Sequence, residues 1–166
     1  MKRRAILLTA FLACAASASA IASVPTGIAA ASAARVVKVE LHHTSLGEIL
    51  STSSGFTVYE FTRDRGDKNS CASLSGCSRV WPALQTSGKP SAGAGVKASL
   101  LSTIKLPGGG RQVTYAGHPL YLYSAEGGPG ETGYVGVSAF GGDWDAINAA
   151  GHAVSSAKRK TETPSW

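Results

Sequence analysis

Few residues of this 166-residue chain have a type and spacing suited to chemistry, and most of them belong to one pattern that occurs twice. Tyr59, Phe61 and Asp64 recur as Tyr121, Tyr123 and Glu126, an offset of 62, and Trp81 recurs as Trp144, an offset of 63. On a strand, Tyr59 and Phe61 project from one face while Val58 and Glu60 project from the other. Such a set can do two things. The rings can form core, with each acidic side chain accepting backbone N–H groups in the loop that follows. Alternatively, the rings and carboxylate can form a platform of the kind that binds sugars. The core is the plainer expectation.

The remaining candidates are weaker. Cys71 and Cys77 have five residues between them, a spacing that suits neither a Cys-x-x-Cys redox site nor a zinc site. His42 and His43 are adjacent, so on a strand they face opposite sides and cannot chelate one metal together. A copper or zinc site would need His118 or His152 as well. His118 lies between Gly117 and Pro119, where turn geometry accounts for it. Asp64, Asp67 and Asn69 lack EF-hand spacing, and the interleaved Arg63, Arg65 and Lys68 repel a cation. No Gly-x-Ser-x-Gly elbow and no His-Glu-x-x-His is present. The Gly-rich run 127–133 lacks the lysine of a phosphate loop, and Pro129 removes a backbone donor. These residues indicate no catalytic residue, cofactor or metal ligand. A scattered carboxylate pair such as Asp64 with Asp143 is what a polysaccharide hydrolase would have to use.

The elements that must position these residues are short and strand-like, separated by Gly, Ser and Pro clusters. Val36–Leu41 alternates. Hairpins are predicted around 51–55, 107–110 and 149–151, and a tight turn at Ala116-Gly117. Helical periodicity is nearly absent; the segments Cys77–Trp81 and Lys97–Leu101 each suit one helical turn. With the repeat, this predicts an all-β domain over residues 35–155: a small β-sandwich or partly closed barrel built from two related units, about 45–84 and 100–148. Residues 156–166 read as a disordered tail.

The start of the chain bears an address. Lys2, Arg3 and Arg4 precede an apolar stretch without charge until Arg35, and small residues at Ala18-Ser19-Ala20 or Ala31-Ser32-Ala33 suit cleavage. This is the form of a secretory signal peptide within residues 1–34. Two other readings stand beside it: an uncleaved anchor, and lipidation at Cys14. Any membrane attachment is expected through one of these. Export puts Cys71 and Cys77 in an oxidising compartment, so a disulfide is expected. The formal charge of +6 is concentrated at the ends: from Arg35 to Ala157 there are ten Lys/Arg against nine Asp/Glu. A domain so balanced lacks the clustered positive charge of a nucleic-acid surface.

The residues resemble a bacterial family of secreted repeat proteins, often described as predicted lipoproteins, with a Tyr-x-(Phe/Trp/Tyr)-x-x-Asp motif. Tyr59-Glu60-Phe61-Thr62-Arg63-Asp64 matches it, and Tyr121-Leu122-Tyr123-Ser124-Ala125-Glu126 matches with Glu for Asp. The family's Cys pair before Trp-Pro resembles Cys71, Cys77, Trp81 and Pro82, with wider cysteine spacing here. Its Thr-Tyr-x-Gly-x-Pro-Leu-Tyr run resembles residues 114–121, and its Phe-Gly-Gly-x-Trp resembles Phe140-Gly141-Gly142-Asp143-Trp144. Phe11-Leu12-Ala13 before Cys14 is only loosely like a lipobox. The resemblance covers about residues 45–150. It implies export and a repeat fold, and the family carries no established activity. The expectation is therefore a non-enzymatic envelope or secreted module, with a metal- or redox-linked protein and a polysaccharide hydrolase as the alternatives; no partner or ligand is indicated.

Overall fold

The computed structural model describes residues 35–156 and the strand Lys160–Thr161. The described residues belong to a unit running from Ser32 to Trp166. The expected leader with Cys14 lies outside the described residues, as does most of the expected tail.

The described residues form β1 (Lys38–Thr44), β2 (Gly47–Thr52), β3 (Tyr59–Phe61), β4 (Gln85–Thr86), β5 (Ser91–Ala92), β6 (Leu101–Lys105), β7 (Arg111–Tyr115), β8 (His118–Pro119), β9 (Val137–Ala139), β10 (Gly142–Ile147), β11 (Ala153–Val154) and β12 (Lys160–Thr161). One short helix, α1 (Cys77–Val80), and two 3-10 turns, Cys71–Ser73 and Ala98–Leu100, complete them. The strands make three small sheets: β2-β1-β5, β11-β10-β9-β12 with β3 also on β10, and β4-β7-β6 with β8 on β7. The all-β class stands, and no sheet among the described residues closes into a barrel.

Local chemistry accounts for most of the pairings. The Gly-rich segment 107–110 joins β6 to β7 in antiparallel register, with Leu101 opposite Tyr115. Residues 149–151 join β10 to β11. At Ala116 (φ 49°) and Gly117 (φ 84°) both central residues of a two-residue turn are left-handed, as are Phe140 (φ 57°) and Gly141 (φ 77°) between β9 and β10. That is the type I′ hairpin, whose twist matches its flanking strands. The hairpin expected across 51–55 forms as a short one: Ser51 bridges Thr57, Thr52 N–H donates to the Phe56 carbonyl at 2.9 Å and Val58 N–H to the Leu50 carbonyl at 3.1 Å. It goes no further because β3 pairs with β10.

Strand alternation divides the core in two. Tyr59, Phe61 and Tyr121 enter one cluster with Trp81, Trp144, Cys71 and Cys77. Val58 and Leu120 enter the other, with Leu50, Val113, Tyr115 and Ile147. Both faces of the motif strands are therefore buried, as a strand at the middle of a domain requires.

Candidate functional site

The two copies of the motif meet edge to edge. Tyr59 N–H donates to the Tyr121 carbonyl at 3.0 Å, and Tyr121 N–H donates to the Tyr59 carbonyl at 2.9 Å. About this bridge the contacts come in matched pairs. Ala146 lies opposite Tyr59, and Ala83 opposite Tyr121. Tyr59 sets its edge on Trp81 with ring centroids 5.1 Å apart, and Tyr121 does the same on Trp144 at 5.1 Å. The two tryptophans stack at 4.1 Å with their planes 2° apart. Each copy's third ring covers the other copy's tryptophan: Phe61 on Trp144 at 4.1 Å and Tyr123 on Trp81 at 4.6 Å. Tyr134 extends the column beyond Tyr123. Each such ring pair adds about 0.5–1.5 kcal/mol beyond area burial. Trp81, Trp144, Tyr59 and Tyr121 have no exposed surface and Phe61 has 2 %. No ligand can lie on these four fully buried rings, so they do not form a sugar platform.

The acidic residues cross the same seam. Asp64 Oδ2 accepts the Tyr121 hydroxyl at 2.7 Å, and Oδ1 accepts the Ser70 N–H at 2.7 Å. Glu126 Oε1 accepts the Thr57 N–H at 3.1 Å. Thr57 corresponds to Pro119 in the second copy, which has no N–H to offer. Asp64 therefore takes its backbone bond from its own loop. A second asymmetry follows at the hydroxyls. Tyr59 Oη and Glu126 Oε2 are buried without a well-formed hydrogen bond: the nearby Thr57 hydroxyl donates to the Glu131 carbonyl and leaves Tyr59 only a loose contact with its oxygen. Burial pushes Glu126 up to about 7, against the Thr57 bonds and with a smaller push from Glu131. Burial also raises Asp64, and the bonds from Tyr121 and Ser70 oppose it. The expectation of a carboxylate held within its own loop fits Asp64 in part; Glu126 reaches to the other copy.

A second polar group lies beside this seam. Glu60 Oε2 is 2.6 Å from His118 Nδ1, and Asp145 is the register partner of Glu60 across the strand pair. Glu60 is 5 % exposed and Asp145 2 %, whereas the His118 side chain is 44 % exposed. Burial, then Asp145, then Asp64 push Glu60 up to about 7. Burial lowers His118, against the pull of Asp64. Sequence reasoning assigned His118 to a turn and left Glu60 without a role. A signal was present: Glu60 stands where the second copy has Leu122, a carboxylate in place of a leucine on a buried strand.

The other candidates are not gathered. Cys71 and Cys77 form a disulfide, buried in the cluster that holds Trp81. Among the described residues no group of three or more His, Cys, Asp or Glu could hold a metal. His42 lies on β1 and His152 just before β11. Asp143 Oδ1 accepts the Ser138 hydroxyl at 2.6 Å, and Asp64 is engaged as above. A shallow groove of about 580 Å³ is lined by Arg63, Arg65, Ser138, Phe140 and Asp143. Arg63 is anchored in it, with Nη1 donating to the Phe140 carbonyl at 2.8 Å.

Residues 102–148 match the model of a family described as a secreted repeat of unknown function. That span runs from β6 to just beyond β10 and takes in the second copy of the motif. No curated protein and no solved structure matches the chain.

Proposed function

We propose that this chain is an exported, non-enzymatic module of the cell envelope or its surroundings, in which a doubled repeat builds a rigid body for binding or assembly. The observation that carries this reading is the inward use of the motif. Tyr59, Phe61, Trp81, Tyr121 and Trp144 fill the joint between the copies, and Asp64 and Glu126 hydrogen-bond across it. Residues spent on a joint are not available to a substrate. The match of residues 102–148 to a secreted repeat supports export. The burial of the Cys71–Cys77 bond supports a structural rather than an exchanging disulfide, since thiol exchange needs access to sulfur.

Two measurements test this. Expressed with its leader in a bacterial host, the chain is expected outside the cytoplasm with Cys71 and Cys77 joined; a cytoplasmic chain with Cys71 and Cys77 both free overturns the export. For the non-enzymatic part, Asp64→Asn is expected to lower the melting temperature, because Asp64 holds Tyr121 and Ser70. Turnover of an envelope polysaccharide that Asp64→Asn abolishes at unchanged stability would instead make this residue a catalytic one.

A further inference from the structure

We propose that Glu60 and His118 form a one-proton clasp between the two copies of the repeat, a pH-responsive element of the joint. Glu60 comes from the motif strand of the first copy and His118 from the turn that launches the motif strand of the second. Their side chains meet at 2.6 Å, with the carboxylate buried and the imidazole partly in water. The charged and titratable groups around the pair are acidic. Asp145 faces Glu60 from β10, and Asp64 approaches from the end of β3, its Oδ2 held by the Tyr121 hydroxyl. The neighbours that β7 supplies to β8 are the uncharged Thr114 and Tyr115.

This setting dictates how many protons the clasp holds. With none, a buried carboxylate faces Asp145 and Asp64 and the site is acidic throughout. With two, the imidazolium stands on a carboxyl group that no longer carries charge. With one, the pair is neutral, and the 2.6 Å separation of Oε2 and Nδ1 leaves that proton between them. Folding thus moves a proton from imidazole toward carboxyl: Glu60 rises to about 7 in the fold, and His118 falls below its ordinary value. A raised carboxyl contributes stability that is complete below the ordinary carboxyl range and lost as pH rises through about 7. A lowered imidazole contributes stability that is present above about 6.5 and lost as pH falls. In mildly acidic solution the two slopes offset, and above neutrality the Glu60 loss prevails.

The test is a set of melts of the full chain from pH 4.5 to 8.5 with Glu60→Gln, His118→Gln and the double variant, read beside the NMR titration of the His118 ring. Glu60→Gln is expected to lose less stability than wild type between pH 6 and 8, and more on acidification below 6. His118→Gln is expected to show the opposite: a fall that begins near pH 5, where the carboxyl of the unfolded chain ionises, and continues until Glu60 itself ionises near 7. The His118 ring is expected to titrate below the ordinary range and to move when Glu60 is replaced. Parallel pH profiles for all four proteins, or a His118 titration indifferent to Glu60→Gln, would overturn the clasp. If a single variant fails to fold, the wild-type ring titration still decides: an ordinary imidazole value refutes it.

Discussion

The matched tyrosines offer a comparison in which near-identical changes have unequal costs. Tyr121→Phe removes a hydroxyl that donates to Asp64 Oδ2 at 2.7 Å. A hydrogen bond to a charged group contributes about 1.5–3 kcal/mol net, and Asp64, partly buried, is left with its bonds from Ser70. A loss of about 2 kcal/mol is expected. For a domain of this size each kcal/mol moves the midpoint by about 3–5 °C, so Tyr121→Phe should melt roughly 6–10 °C lower. Tyr59→Phe removes a buried hydroxyl that makes no well-formed hydrogen bond, only a loose contact with Thr57. Its ring contacts with Trp81 stay, and an unsatisfied buried donor disappears, so the midpoint should stay level or rise. Differential scanning calorimetry at pH 7 on wild type and both variants reads the contrast directly. Equal losses from the two changes would refute the account. They would mean that the Tyr59 hydroxyl is bonded as firmly as that of Tyr121, and that the asymmetry traced to Pro119 has no energetic consequence.

Four further outcomes are expected. Trp81→Ala and Trp144→Ala should each cost about 3–5 kcal/mol in urea melts, and the double variant less than the sum, because each ring is the other's stacking partner. Cys71→Ser should cost about 2 kcal/mol on the chain-entropy model for so short a loop, with wild-type protein in reductant melting at the same place as the variant. Gly142→Ala should cost about 1–3 kcal/mol by thermal melt, since its Cβ would lie 2.7 Å from the Phe61 ring and 2.8 Å from Arg63 Cγ. Glu126 rises to about 7 in the fold, so its share of stability is full below the ordinary carboxyl range and lost as pH climbs through 7; Glu126→Gln should flatten that part of the melting profile.

What could be read in advance differed from residue to residue. Trp81 and Trp144 were legible as a repeat because aromatic residues are rare in the chain, and two motif offsets differing by one are hard to produce by accident. The β6–β7 hairpin was legible because a Gly-rich segment separates two strand-like runs of similar length, and the β10–β11 hairpin because Ala149-Ala150-Gly151 interrupts a strand-like run. The 51–55 hairpin was legible as a reversal but not in its extent: a turn signal does not say how far the two arms stay paired. Here the second arm leaves β2 after Val58, and β3 pairs with β10. The Glu60–His118 contact was illegible, because 58 positions separate the residues and neither belongs to a motif with metal or catalytic spacing.

The amino-acid sequence alone determined the class, the duplication, the cysteine pair and the burial of the aromatic faces, because each follows from local spacing and from the cost of leaving rings in water. Tertiary structure alone decided how the copies join: Tyr59 against Tyr121, tryptophan on tryptophan, Asp64 bonded to the opposite tyrosine while Glu126 is not, and Glu60 against His118. Those are pairings between segments about sixty residues apart. Which distant groups meet is settled by strand edges competing for partners and by a proline that lacks an N–H, quantities that exist only once the chain has closed on itself.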